Sequence, residues 1–255
     1  MVGVFEKGKA DVKFTAKSTG GHASAPAANT PIARLAAFEN EIETHSPFKK
    51  KLSLEVASMF KSLAPYASFG LKLVLGNIPI FKPLLLAVLP KISAQAGAML
   101  RTTVAFTMQS GSDAVNVIPQ EASVCANMRF IPHQGERESL EIIKKCAEKH
   151  GIEMEILHSN DFTPPVDING EAFKLMEDVI EKTFPGLPSS PYVMTGATDA
   201  QFYQPICKNC LRFAPVIYGP EQMKGMHGLN ENIEYNCLPG AVRFYKNLIK
   251  AQKTR

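Results

Sequence analysis

An α/β protein built from a ferredoxin-like unit and part of a second, larger α/β domain is what three observations in the sequence predict. With one apolar insertion set aside, its periodic segments run strand, helix, strand, strand, helix, strand, the split βαβ order. A turn-rich stretch from Thr163-Pro164-Pro165 to Asn169-Gly170 then breaks the chain. The segment beyond this break has too few strands to make a sizeable core by itself, so it reads as part of a larger domain.

The elements come in this order. Val12, Phe14 and Ala16 alternate with Lys13, Thr15 and Lys17, the pattern of a half-buried strand. Gly20-Gly21 ends it. Thr30-Pro31 marks a helix start, a capping hydroxyl before a proline of the first turn, and Leu35, Phe38 and Ile42 then share a face. Residues 52–95 are mostly apolar and punctuated by prolines and glycines. Thr102 to Thr107 and Glu121 to Ile131 read as strands. Glu136 to His150 reads as a helix stopped by Gly151, and Ile152, Met154 and Ile156 alternate in a fourth strand. Beyond the break come a helix with Phe173, Met176 and Ile180, short strands at Tyr192 to Thr195 and Leu211 to Ile217, and a final helix carrying Val242, Tyr245 and Ile249. The expected division is 1–10 with the second domain, 11–160 as the ferredoxin-like unit with its insertion at 52–95, and 161–255 as the rest of the second domain.

Composition narrows the function. A chain of 255 residues with 45% hydrophobic and 20% charged residues suits a globular protein with real cores. The net charge of +4 is weak, and Lys49-Lys50-Lys51 is its only dense cationic run, which argues against nucleic-acid binding. Five scattered cysteines argue against a disulfide framework, and Cys207-Lys208-Asn209-Cys210 has no second pair with which to build a zinc ribbon. Thiols read as reduced lean towards the cytoplasm. The first residues lack the basic start and apolar run of a secretory signal. Phe69 to Pro90 is apolar, but Lys72, Lys82, Pro79 and Pro83 interrupt it, so a buried or interfacial helical pair is expected rather than a transmembrane span.

Four places carry chemistry. His22 follows two glycines, which leave its ring room to project from a strand end. Arg129, near a strand end among apolar and amide neighbours, is suited to clamp a carboxylate as a fork, with the amide of Asn116 as second donor. Thr195-Gly196-Ala197-Thr198-Asp199 links a strand to a helix start, where backbone N–H groups gather. His227 sits in the permissive loop Gly225-Met226-His227-Gly228 and can present an imidazole to a metal. Taken singly, each has a plainer role: a turn cap for His22, a surface ion pair for Arg129, a helix cap for Asp199 and a loop hydrogen bond for His227.

Together and in this order, GGHASAP after a strand, NVIP followed by RFIP, TGATDA and MHGLNE resemble the zinc-dependent metallopeptidase family M-twenty, which includes aminoacylases and succinyl-diaminopimelate desuccinylase. The insertion IFKPLLLAVLPKI with MLRTTVAFT is most similar to its carboxypeptidase S (Gly-X carboxypeptidase) and N-fatty-acyl-amino-acid hydrolase branch. The resemblance implies a catalytic α/β domain with two zinc ions, interrupted by a ferredoxin-like lid that forms a homodimer. It implies that His22 stabilises the oxyanion, that Asn116 and Arg129 hold the substrate carboxylate, that Gly196 approaches the substrate and that His227 is the last zinc ligand. The family's H-x-D motif, its bridging aspartate, its Glu-Glu pair and a further acidic ligand have no counterpart here. The chain therefore resembles the C-terminal half of such an enzyme.

One imidazole cannot hold two zinc ions, because a catalytic zinc takes three protein ligands and keeps an open position. Alone, the chain is expected to be inactive. The expected substrate of the complete enzyme is a small peptide or an N-acyl amino acid with a hydrophobic acyl group. Two rivals remain: a non-catalytic dimerisation or binding module, and a lipid-surface protein that uses Phe69 to Pro90.

Overall fold

The structure, a computed structural model, describes residues 1–226 and 228–253, the last of these by its backbone only. Strand β1 (Val2–Glu6) leads into β2 (Gly8–Lys17) and the two-residue β3 (Gly21–His22). After α1 (Pro31–Thr44) come the insertion helices α2 (Leu54–Leu63), α3 (Phe69–Gly76), α4 (Ile78–Ile92) and α5 (Ala94–Ala98). Then come β4 (Thr103–Ser110), β5 (Val117–Ile118), β6 (Glu121–Phe130), α6 (Gly135–Lys149) and β7 (Ile152–Asn160). The remainder holds α7 (Glu171–Thr183), β8 (Pro191–Met194), α8 (Ala200–Tyr203), α9 (Pro220–Gly225) and α10 (Leu238–Lys253).

The expected ferredoxin-like unit is present. Its four-stranded sheet runs β4–β6–β2–β7, antiparallel at every pairing. The alternation read from the sequence sorts the two faces: Val12, Phe14 and Ala16 of β2 and Val124, Ala126 and Met128 of β6 are buried, packed against α1 and α6. Phe14 and Phe38 seal that core with ring centroids 4.8 Å apart, and Phe106 lies 5.7 Å from Phe38. Lys13, Thr15, Asn127 and Arg129 occupy the alternate positions. Gly151 stops α6 with φ +64°, as its place after the helix suggested. Thr30 precedes α1, but its side chain makes no capping hydrogen bond, so only the proline at the first turn is used as expected.

A second core forms around β1 and β8, which pair in parallel. Val2, Val4, Phe5 and Val193 are fully buried there, joined by Phe173, Val179 and Ile180 of α7 and by Phe244 of α10. The insertion joins this core too, through Leu52, Val56, Met59, Phe60, Leu75, Leu85 and Leu89. It interrupts the ferredoxin-like unit in sequence and packs outside it, because α1 and α6 already cover that sheet's apolar face. The strand expected at Leu211 to Ile217 is absent; only Arg212 pairs, bridging Gly3. Pro215, which has no N–H, cannot continue such a ladder. On α10 the expected apolar stripe Val242, Tyr245 and Ile249 is 54%, 49% and 57% exposed, and Phe244 is the residue that is buried.

The two cores meet where the chain crosses between them. The first crossing, Glu6-Lys7-Gly8, lies against the return crossing at 161–163: the Glu6 N–H donates to Thr163 Oγ1 at 2.7 Å, and the Thr163 N–H donates to the Glu6 carbonyl at 3.1 Å. Gly8 is required there, since a Cβ would come within 2.6 Å of the Phe162 backbone nitrogen.

Candidate functional site

The predicted residues fall at two ends of the sheet. His22 and Asn116 share one end. The β3–β5 ribbon continues the β2–β6 ladder outward, pairing His22 with Val117 where the sheet itself stops at Lys17 and Glu121. The shift in register takes place at Gly20, whose φ of +69° a side chain would resist. The Asn116 carbonyl accepts the Ala23 N–H at 3.0 Å, tying the turn of one strand to that of the other. Both side chains are exposed. His22 Nδ1 accepts the Ser24 N–H at 3.1 Å, so the N–H of the neutral ring is on Nε2, free to donate outward.

Arg129 lies at the opposite end of β6, level with Lys9 and Thr103. From Glu121 to Arg129 the strand covers roughly 26 Å at ~3.3 Å per residue, and Asn116 lies further out still. Within one chain, Asn116 and Arg129 are therefore not positioned to hold one carboxylate together. The pairing expected from the sequence is corrected to that extent.

The immediate surroundings of Arg129 are built from amides and charges. Its Nε donates to Asn127 Oδ1 at 2.9 Å, the Asn127 amide donates to Asp11 Oδ1 at 2.7 Å, and Lys9 Nζ lies 2.7 Å from Asp11 Oδ2. Nη1 of Arg129 is buried and has no hydrogen-bond partner among the described residues. A guanidinium fixed at Nε, with a dehydrated and unused nitrogen, is suited to receive an anion, because leaving such a donor unpaired is costly.

Gly196 is exposed in the loop after β8, and a Cβ at that position would meet nothing within 4 Å. Its neighbour Thr198 organises the loop: Oγ1 accepts the Ala200 N–H at 3.2 Å and donates to Glu6 Oε1. Asp199 precedes α8 but makes no side-chain cap. His227 lies outside the described residues. Among the described residues, no three His, Cys, Asp or Glu side chains gather to hold a metal.

Sequence reasoning missed Glu6, Lys7 and Arg212. Glu6 and Arg212 are 1% and 8% exposed and pair at 3.0 Å from Oε1 to Nε; Arg212 also donates to Thr163 Oγ1 at 3.1 Å. The available signal was a charged pair directly following the apolar run Val2-Gly3-Val4-Phe5. Lys7 is 3% exposed and donates to the carbonyls of Ala98 at 2.8 Å and Arg101 at 2.9 Å. Burial, reinforced by the charges of Arg129 and Arg101, lowers its pKa from 10.5 to about 7. Between those values the unfolded chain binds the extra proton, so this group makes stability rise with pH from about 7 to 10.5; the gain is lost as pH falls from 10.5 to about 7, and below about 7 both states are protonated and the contribution no longer changes. Urea midpoints measured across that window are expected to rise in the native chain and to rise less in Lys7→Met; parallel curves would refute the assignment.

The ferredoxin-like sheet, through the first residues of β7, and its projecting ribbon lie within residues 4–155, which match the peptidase dimerisation domain of the M-twenty peptidases. The chain belongs to the peptidase family M-twenty. It is 30% identical over 256 residues to an N-fatty-acyl-amino acid synthase/hydrolase of Xenopus tropicalis, covering 100% of this chain and 50% of the relative. A probable carboxypeptidase S-like protein of Dictyostelium discoideum is 26% identical, over 98% of this chain and 48% of its own length. The chain spans about half the length of the relatives it matches. The fold recurs in a dipeptidase of Saccharomyces cerevisiae (TM-score 0.66, 12% identity, 100% of this chain and 56% of that one) and in a metallo-carboxypeptidase of Sulfolobus solfataricus (TM-score 0.63, 20% identity, 98% and 60%).

Proposed function

We propose that this chain is the dimerisation unit and C-terminal catalytic segment of a zinc-dependent M-twenty hydrolase that cleaves an amide beside a free carboxylate. The unpaired, buried Nη1 of Arg129 carries this reading. It supplies a positive, preorganised fork for the substrate carboxylate, and the Gly196 loop borders the same junction through the bond between Thr198 and Glu6. The names of the relatives favour a small peptide or an N-acyl amino acid as the substrate.

The domain division proposed is 1–10 and 161–255 with the catalytic domain and 11–160 as the dimerisation unit; the two separate cores support it, with the insertion docked on the catalytic side. The described residues do not fit a two-zinc centre by themselves. The ions and the general base are assigned to protein outside these 255 residues, with His227 as one ligand, and the chain alone is not expected to hydrolyse amides. Two features support this: β1 and β8 form a two-stranded parallel sheet, where parallel sheets are normally larger and covered, and α10 keeps Val242, Tyr245 and Ile249 exposed.

The separation of the two ends supports a homodimer. The His22 and Asn116 ribbon is exposed and far from Arg129, so it serves the site of a second copy, where the Nε2–H of His22 donates to the oxyanion and the Asn116 amide to the carboxylate.

The carboxylate requirement is directly testable in the longer protein. Converting the substrate carboxylate to a carboxamide is expected to lower kcat/KM about 10–100-fold, the range of one charge-assisted interaction. Arg129→Met is expected to cost as much on the acid and little on the amide. Equal cleavage of acid and amide by the unsubstituted enzyme would sink the proposal.

A further inference from the structure

Helices α3 and α4 meet in an elbow bent by 112°. The inner side is anchored in the second core by Leu75, Leu85 and Leu89. The outer side is also apolar. Ile80, Leu84, Val88 and Ile92 recur at every fourth position of α4, so they share one face, and they are 74%, 50%, 38% and 70% exposed. Phe69, at the start of α3, is 86% exposed, and Leu71 and Leu73 are about half exposed. A helix packed against a core in water normally carries polar residues on its outer face.

Charge identifies the occupant. Lys72, Lys82 and Lys91 stand exposed among these apolar residues, and neither Asp nor Glu occurs between Glu55 and Asp113. The elbow is therefore apolar and purely cationic. A second copy of the same face would set lysine against lysine, which disfavours self-association. Apolar side chains interleaved with lysines match the boundary between the headgroups and acyl chains of an anionic bilayer. No single helix among the described residues is long and apolar enough to cross a membrane, and the sharp bend suits an elbow that lies in the interface.

We propose that the α3–α4 elbow is a docking surface for an anionic phospholipid bilayer, entered by Phe69, Ile80, Leu84 and Ile92 and steered by the three lysines. The inference is independent of the hydrolase assignment.

The test is flotation of the full chain with vesicles of phosphatidylcholine alone and of phosphatidylcholine mixed with phosphatidylserine. The chain is expected to float with the mixed vesicles and far less with neutral ones, and added salt should weaken the association. Neutralising Lys72, Lys82 and Lys91 to Gln is expected to weaken partition onto the anionic vesicles about a hundredfold. Ile80→Asp with Leu84→Asp, at exposed positions where the fold is retained by circular dichroism, is expected to abolish flotation. Three results would overturn the proposal: no flotation of the native chain, equal flotation of native and substituted chains, or an oligomer that the Asp pair disperses without any vesicle binding.

Discussion

Mixing two impaired versions of the longer protein, His22→Ala and Arg129→Ala, is expected to restore about a quarter of native activity. In a two-fold dimer with random mixing, about half the dimers are mixed, and each mixed dimer has one site with both groups intact. The geometry behind this is the distance along β6. Arg129 pairs with Lys9 at one end of the sheet, while His22 and Asn116 sit on the β3–β5 ribbon beyond the other end. The His22 substitution is expected to lower activity about 100–1000-fold by removing the oxyanion donor, and the Arg129 substitution about 10–100-fold by removing the carboxylate clamp. A hydrolysis assay of the random mixture provides the measurement, and the mixed dimer purified from co-expressed, differently tagged subunits is expected to show about half of native activity. Mixed dimers no more active than either parent would mean that both groups serve a site within one chain, contrary to the proposal.

Arg212→Ala is expected to destabilise the second core by about 3–5 kcal/mol, the cost of stranding a buried charge. Glu6 is 1% exposed, and its Oε1 receives both Arg212 Nε at 3.0 Å and the Thr198 hydroxyl. Its Oε2 has no partner among the described residues, so nothing there replaces the lost guanidinium. Removing both charges, with Glu6→Gln and Arg212→Ala together, is expected to cost less than the sum of the two single changes, because neither change then leaves an unpaired ion. Urea denaturation of all four proteins gives the coupling. A loss below about 1 kcal/mol for Arg212→Ala would place this pair with ordinary surface ion pairs. Faster amide exchange at 195–199 in the single variant would show that Glu6 also holds the Gly196 loop, through Thr198.

The ferredoxin-like unit was legible because its information is local. Val12, Phe14 and Ala16 alternate at the strand period, Leu140, Ile143 and Ala147 repeat at the helical one, and both patterns report one buried face. The candidate site was legible only as residue types in a recognisable order. The strand read over Glu121 to Ile131 already put Asn116 before its start and Arg129 near its end, but sequence order does not encode which other strand ends adjoin them, here Lys9 and Thr103 beside Arg129. Leu211 to Ile217 failed as a strand for a related reason: its apolar pattern was sound, but a strand also needs a partner, and only Gly3 meets it at Arg212.

The sequence by itself determined the elements of the ferredoxin-like unit, the family and the residue types available for chemistry. All of these depend on short-range periodicity or on motifs read along the chain. The tertiary structure decided which residues work together. It joined Glu6 to Arg212 across more than two hundred residues, buried Lys7 until its pKa fell to about 7, and sent the insertion to the second core. It also left Nη1 of Arg129 buried with no partner among the described residues and turned an apolar, lysine-bearing elbow outward. Burial and pairing are properties of what surrounds a side chain, and those surroundings come from distant parts of the chain that only folding brings together.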